Sequence, residues 1–429
     1  MSSSVRDVGK KVRLRLVLPC ALFILISSID RANVSFASLT MNQALGFSAK
    51  AYGLGAGLFF TGYLLSQYPS VALFRRIGMA RWLAAISMTW GVAAASLAFV
   101  SSIGEFYALR IVIGLAEGGL SSGIMLYLAR WAAEEDRATI LALPVGAVPL
   151  SLIIGAPLSG LLMDAANPLG MEGWRWMFLV EGLPAIAMSV FALLYFPERI
   201  PDARWLDADE KTWLAARVPA ETASGTSAGR SDFKGTLTSP AMWLCSLIWF
   251  GVLAGNYGII FWLPQAIAGM KSLTPSEVGL IVAMPWTATL VTLYLVARSS
   301  DRSGERFIHL AVPAAVAGLA ILGAASLGAS PLAVVLLVIA GAGLGGALAP
   351  VWAIPISLLP PQQRAPGVVV INVIGSTAGL VVPALMGVIR EASGSFILPT
   401  LLLTGLLLLA AIGAFGARAM AGSQARMAA

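Results

Sequence analysis

Four side chains stand where ionisable groups are costly. Asp30 and Arg31 interrupt the apolar run LVLPCALFILISSIDRANVSF (16–36), and Arg110 and Glu117 lie inside FYALRIVIGLAEGGLSSGIMLYL (106–128). Each run is long enough to cross a bilayer. An ionisable side chain near the bilayer centre costs at least ~3 kcal/mol on insertion scales, and it persists there when it faces a partner or a water-filled path. Two acids and two bases in one half of the chain are the groups an ion-coupled transport site needs. An Arg guanidinium presents a planar fork that matches a carboxylate through two hydrogen bonds. Arg31 is therefore the expected anion ligand. Glu117, in a partly dry cavity, is a group that could take a proton on one side and release it on the other.

Helix geometry gives an expectation for which charges meet. At ~1.5 Å rise per residue, Asp30 and Arg110 come out at about the same depth, so they are expected to pair. Arg31, turned roughly 100° from Asp30, would then face the central cavity. Glu117 lies two turns from Arg110 on the same face, ~10 Å deeper, with no second base apparent at its level. The plainer alternative is that these charges only neutralise one another and hold helices together.

The elements that must position them are membrane helices. The 429 residues are 58% hydrophobic and 11% charged, which excludes a soluble domain. Twelve candidate spans begin near Leu16, Tyr52, Trp82, Phe106, Ala138, Trp176, Ala241, Glu277, Phe307, Pro331, Gly367 and Phe396. The expected fold is an all-α integral membrane protein of twelve helices in two pseudo-symmetric six-helix bundles. The net charge of +7 does not imply a nucleic-acid partner. Of 28 Lys and Arg, four (Lys50, Arg175, Lys271, Arg390) fall on the side away from the termini and two lie within spans, leaving 22 on the terminal side. By the positive-inside rule both termini are cytoplasmic. The basic start Lys10-Lys11-Val12-Arg13 precedes a run too long for a signal peptide, and no small-residue cleavage site follows. Cys20 and Cys245, both within spans, imply no disulfide framework, and a single histidine with no Cys/His cluster argues against a metal. Neither a nucleophile with a base nor a cofactor motif is present, so no enzyme and no cofactor are expected.

The chain repeats internally. Gly78 and Gly304, which follow the second and eighth spans, are 226 residues apart, as are Pro157 and Pro383; Arg137-Ala138 and Arg364-Ala365 are 227 apart. A shared offset at three places indicates two halves of the same topology. The expected organisation is a cytoplasmic tail (1–15), an N-terminal six-helix bundle (16–196), a polar cytoplasmic linker (197–240), a C-terminal six-helix bundle (241–418) and a second tail (419–429). Within the linker, LDADEKTWLAARV reads as a short amphipathic helix on the membrane surface. Glu181 reads mainly as structural, with Arg175 as its partner. The second half has no charge deep in a span, so neutral groups must serve its cavity. Asn256, Tyr257, Trp352 and Asn372 are the candidates.

These residues carry a resemblance. GYLLSQYPSVALFRRIGMAR (62–81) resembles the loop motif of the major facilitator superfamily, and ARSSDRSGER (297–306) resembles its second copy. The motif positions are Arg76 and Gly78 in the first copy and Asp301, Arg302 and Gly304 in the second. Arg75 stands where the first copy usually has Asp, which weakens a latch through that acid. GAPLSG (155–160) resembles the Gly/Pro motif of span five. More narrowly, 28–70 and 106–138 resemble the anion:cation symporter family, and LTMNQALGFS with AYGLGAGLFFTGY is most similar to its tartrate and phthalate branch. The resemblance implies that Asp30, Arg110 and Glu117 serve proton coupling and Arg31 anion binding, and that Tyr63, Trp352 and Asn372 contact substrate. Val148 and Ala349 replace polar contacts of the sugar-acid members, which favours a less hydroxylated or aromatic acid. The implied function is proton-coupled import of a small organic carboxylate (tartrate, phthalate, aromatic or sugar-acid type) by alternating access. It implies a monomer in membrane lipid, in the cell membrane, with the bacterial inner membrane the expected location. A uniporter or exchanger on the same fold, or a transporter-like ligand sensor, are the alternatives.

Overall fold

The computed structural model describes residues 8–218, 232–269 and 273–428, and their regular structure is helical. The linker stretch 219–231, Lys271 and the extreme ends of both tails lie outside the described residues. Twelve long helices follow one another: α1 (Val8–Leu45), α2 (Ala49–Ile77), α3 (Met79–Phe99), α4 (Ile103–Ala129), α5 (Thr139–Asp164), α6 (Gly173–Tyr195), α7 (Pro240–Ala268), α8 (Pro275–Ser303), α9 (Phe307–Leu327), α10 (Pro331–Leu358), α11 (Pro361–Ser393) and α12 (Ile397–Ser423). Eleven of them are apolar enough as well as long enough to cross a membrane. The exception is α2, whose 29 residues reach about 43 Å but include Lys50, Gln67, Arg75 and Arg76.

Three of these helices are broken part-way by turns, and α5 passes through a 3-10 stretch at Leu143–Gly146. α1 is interrupted at Asn33, α4 at Gly118-Gly119 and α10 between Leu348 and Ala353. In α4 the cause is close approach. A Cβ on Gly118 would meet Tyr63 O and Ser66 Oγ of α2, and one on Gly119 would meet Ser70. In α10 the interruption contains Pro350, which lacks a backbone donor. The break at Asn33 has no comparable marker. Asp30-Arg31, Glu117 and Trp352 all sit at these breaks. Discontinuous helices of this kind are how transporter folds bring polar groups to a binding level.

By packing, the chain forms two compact units. One is 1–31, 61–151 and 175–228; the other is 32–60, 152–174 and 229–429. The far-side ends of α1, α2 and α5, opposite the termini, therefore pack with helices of the second sequence half. That packing is itself two-fold. Lys50 N at the start of α2 donates to Glu391 Oε2 at the end of α11 (2.8 Å), and Ser276 N at the start of α8 donates to Asp164 Oδ2 at the end of α5 (2.8 Å). Each acid thus caps the N-terminus of a helix from the other half, where the unsatisfied amides and the helix dipole favour an anion. The same pairing recurs one turn deeper. A Cβ on Gly53 would strike Pro383 O and one on Gly279 would strike Ala156 O; Gly387 meets Ala49 O and Gly160 meets Pro275 O in the same way. Every α2 residue in this set maps onto its α8 counterpart by 226, and every α5 residue onto its α11 counterpart by 227. Small residues at these sites let the backbones touch. Tyr52 Oη donating to Phe261 O (2.7 Å) and Gln265 Nε2 donating to Ser38 Oγ (2.8 Å) complete the closure.

On the terminal side both loop copies place glycine at a positive φ, which favours that residue, but the two backbones differ: Gly78 has φ 83° and ψ 173°, Gly304 φ 70° and ψ -1°. Each precedes a helix capped by an acid. Glu198 accepts from Met79 N (2.8 Å) and Ala80 N (3.0 Å), while Glu305 accepts from Ile308 N (2.9 Å). Burial tends to raise the Glu305 carboxyl. The amides of Ile308 and His309 and the His309 ring outweigh it and hold the group below its usual value. Asp301 pairs with Arg306, and Arg76 and Arg302 are exposed. The linker helix forms over Ala208–Arg217 with an Asp207/Glu210 capping box. Its buried residues, Glu210 and Leu214, face protein, with Glu210 paired to Lys11 of α1 (2.6 Å).

Removing the far-side caps should loosen that closure. Asp164→Ala and Glu391→Ala each delete one cap, at ~0.5–2 kcal/mol. In a Ser38→Cys background, labelling by a membrane-impermeant maleimide should rise roughly two- to thirty-fold for each variant, and further when both are combined. Equal labelling rates with and without the two carboxylates would show that the caps do not hold this end shut.

Candidate functional site

In the first unit the four ionisable residues found in the spans cluster, but not in the expected pairs. Arg31 Nη2 donates to Glu117 Oε2 at 2.8 Å, and Ser27 Oγ donates to the same oxygen at 2.8 Å. Asp30 instead accepts from Trp90 Nε1 of α3 at 2.9 Å. The expectation that Asp30 meets Arg110 is thus corrected, and so is the expectation that Glu117 has no base beside it. The divergence of Asp30 and Arg31 around α1 is real, with their neighbours exchanged: Arg31 faces α4 and α2, and Asp30 faces α3. The depth count took Leu16 as the start of the first span, whereas α1 runs from Val8 to Leu45, and equal depth does not say which neighbour a side chain faces.

The surroundings are nearly dry. Asp30, Arg110 and Glu117 are 1%, 0% and 1% exposed. The Arg31 side chain keeps 19% of its surface accessible, so it is the charged group of the pair that a solute can reach. Tyr63 of α2 lies beside it, with the guanidinium carbon 5.3 Å from the ring centroid. What brings Tyr63 there is the tight α2–α4 contact, where Gly62 meets Ile111 O and Gly118 meets Tyr63 O. Arg110 adds a second positive charge that acts on Glu117 through space. A third acid, Glu181 of α6, is 4% exposed and acts on Asp30 in the same way. Arg175, its expected partner, donates to the carbonyls of Ala98 and Val100.

Three contributors were not singled out from sequence as members of this cluster: Ser27, Trp90 and Glu181. Ser27 had a signal, since it lies four residues before Arg31 on the same helix face. Glu181 had one too, as a carboxyl inside a span. Trp90 had none that separates it from the other tryptophans of the spans. Asp30 Oδ1 and Glu117 Oε1 have no hydrogen-bond partner among the described residues. Each carboxyl thus holds one oxygen fixed and one oxygen uncommitted, an arrangement that can accept a proton without breaking the contact already made.

In the second unit the neutral candidates fall on two aromatic clusters. Tyr257 lies edge-on to Phe60 (4.5 Å between centroids) and parallel to Phe261 (6.4 Å), with Asn256 half-buried next to it. Trp352, at the break of α10, packs on Trp249 (5.1 Å), which in turn abuts Gly375 of α11. Asn372, also half-buried, is one turn before Gly375 on the same helix. Among the described residues no cluster of three or more His, Cys, Asp or Glu side chains could hold a metal.

Comparison with known proteins agrees with this architecture. The Major Facilitator Superfamily matches residues 20–383. A putative tartrate transporter of Agrobacterium vitis is 38% identical over 405 residues, covering 94% of this chain and 90% of its own. The putative metabolite transport protein NicT of Pseudomonas putida is 36% identical over 389 residues, covering 90% and 88%. Among solved structures, a bacterial homologue of the human lysosomal transporter Spinster, inward-facing and unoccupied, aligns with a TM-score of 0.79 over 96% of this chain and 98% of that one. At 17% identity that likeness speaks for the fold alone. With a family match that runs from α1 into α11, the chain belongs to the Major Facilitator Superfamily and is a multi-pass membrane transporter, not an enzyme.

Proposed function

We propose that this transporter carries a small organic carboxylate together with protons, and that the Arg31–Glu117 pair is where the two are coupled. The single observation behind this reading is that one guanidinium, partly accessible, is held by one buried carboxylate. A substrate carboxylate and Glu117 are then rivals for the same fork. When Glu117 takes a proton its hold on Arg31 weakens, and the substrate carboxylate can replace it. When the proton leaves, Glu117 reclaims Arg31 and the substrate is expelled. Asp30 and Arg110 are proposed as further coupling groups.

The substrate class is supported by the tartrate-transporter relative and by the geometry of Arg31. Tyr63, Asn256, Tyr257, Trp352 and Asn372 are proposed as contacts for the remainder of the molecule. Arg76, Gly78, Asp301, Arg302 and Gly304 are proposed as the gating loops of the terminal side. The excess of Lys and Arg on that side supports cytoplasmic termini, and the bacterial relatives support the inner membrane. A monomer is proposed. Counterflow in proteoliposomes, with and without a proton gradient, separates symport from exchange.

Glu117→Gln should abolish proton-driven accumulation while leaving exchange, because Gln cannot cycle a proton. A Gln variant that still concentrates substrate against its gradient would remove Glu117 from the coupling step. Arg31→Lys should weaken substrate binding about ten- to a hundredfold although the charge remains, since the loss of the paired hydrogen bonds is worth ~1.5–3 kcal/mol. Near-native affinity in calorimetry would move the anion site elsewhere, with Arg110 next. The pair should also appear in stability. Arg31→Gln alone breaks a buried ion pair at ~3–5 kcal/mol, and adding Glu117→Gln should restore much of that. Simple addition of the two losses in detergent unfolding would mean that the two groups are not coupled.

A further inference from the structure

The far-side end of the second unit contains a cavity of about 360 Å³ that none of the groups discussed above occupies. Its wall is largely apolar, with Ile259 and Leu263 from α7, Ile321 from α9, Leu337 from α10 and Leu403 from α12. One charged group stands out in that wall. Arg390 is half-buried there. Its guanidinium carbon is 3.6 Å from the Phe396 ring centroid, and the guanidinium has no hydrogen bond or ion pair among the described residues. Trp262, 2% exposed, adds its ring to the wall. A half-buried cation without an acceptor is costly beside apolar space. A molecule with an anionic head and an apolar body suits both the cation and the apolar wall. The volume lies within the ~300–1,000 Å³ range of small-molecule sites. It corresponds to about a dozen water volumes at ~30 Å³ each, which suits an aryl or short acyl carboxylate and is too small for a diacyl lipid.

We propose that this cavity is a second binding site, for a small apolar carboxylate, and that its occupant holds the far-side gate shut. The link to the gate lies in residues shared by the two. Trp262 forms one wall of the cavity and meets Tyr52 of α2 edge-on at 5.1 Å, while Tyr52 donates to Phe261 O. Arg390 lines the cavity, and the next residue, Glu391, caps α2 at Lys50. A ligand held by Arg390 and packed on the Trp262 ring would stiffen the surface on which α2 rests. The gating half of this proposal rests on the transport reading above; the binding half does not.

The test is calorimetric titration of 2-naphthoate into the full-length protein in detergent, for the native chain and three variants: Arg31→Gln, Arg390→Gln and Leu337→Trp, which fills the cavity. Binding should persist in Arg31→Gln and fall at least tenfold in both others, with thermal melts showing that each is folded. If Leu337→Trp does not fold, Arg390→Gln decides alone. Binding that survives Arg390→Gln, or that is lost in Arg31→Gln, would place the ligand elsewhere and overturn the site. Repeating the titration in phospholipid nanodiscs tests the source: loss of binding there would assign the cavity to a lipid chain and overturn the free acid. In proteoliposomes, naphthoate should lower the maximal uptake rate without changing KM, and Arg390→Gln should abolish that effect. Competition with substrate would overturn the link to the gate. The calorimetric arm needs no transport, so it is decided even if the transport reading fails.

Discussion

A carboxylate without water in a membrane-spanning bundle is tolerated when a cation stands against it, and the rest of the first unit is arranged around that condition. Glu117 sits at the last turn before α4 breaks, where Ser27 and Arg31 of α1 reach it. The break occurs where two glycines admit the backbone of α2, and the same contact places Tyr63 beside Arg31. Asp30, one residue away, is turned to Trp90 by the pitch of α1. An ion pair of this kind gives little net stability compared with apolar packing, yet breaking it is expensive. That combination suits the switch proposed above, in which the pair yields only when a proton and a competing anion arrive together.

The far-side closure answers a different requirement. A gate has to open during each cycle, so the interactions across it should be individually modest. Two carboxylate caps and a set of backbone contacts at small residues meet that need. Each cap is worth only ~0.5–2 kcal/mol, and the glycine contacts beside the caps bury no side chain of their own. Because the acids belong to α5 and α11 and the helix starts to α2 and α8, the closure inherits the symmetry of the repeat. Opening can therefore release both caps by one movement.

Much of the architecture was legible in the amino-acid pattern. Composition and span length dictate a helical membrane protein, since a backbone in lipid must satisfy its own hydrogen bonds. The offsets of 226 and 227 residues reveal the repeat before any contact is known, and they recur in the caps of the far side. Asp30, Arg31, Arg110 and Glu117 stand out because a charge within an apolar run is costly enough to require a reason. The linker helix was legible from the amphipathic pattern of LDADEKTWLAARV, and its Asp207/Glu210 capping box came with the structure.

The partners were not legible. Helical phase shows that Asp30 and Arg31 point roughly 100° apart, but not which neighbour lies in either direction. The contacts that settle it join residues 86 and 60 positions apart, Arg31 to Glu117 and Asp30 to Trp90, and they depend on how α1, α3 and α4 pack. Depth along the axis does not help either, because two groups at one level can still face different neighbours. By itself the sequence determined which groups must be buried and that each needs a counterpart. The tertiary structure decided the counterparts, because burial fixes only the cost of a lone charge, whereas the packing of neighbouring helices chooses the group that relieves it.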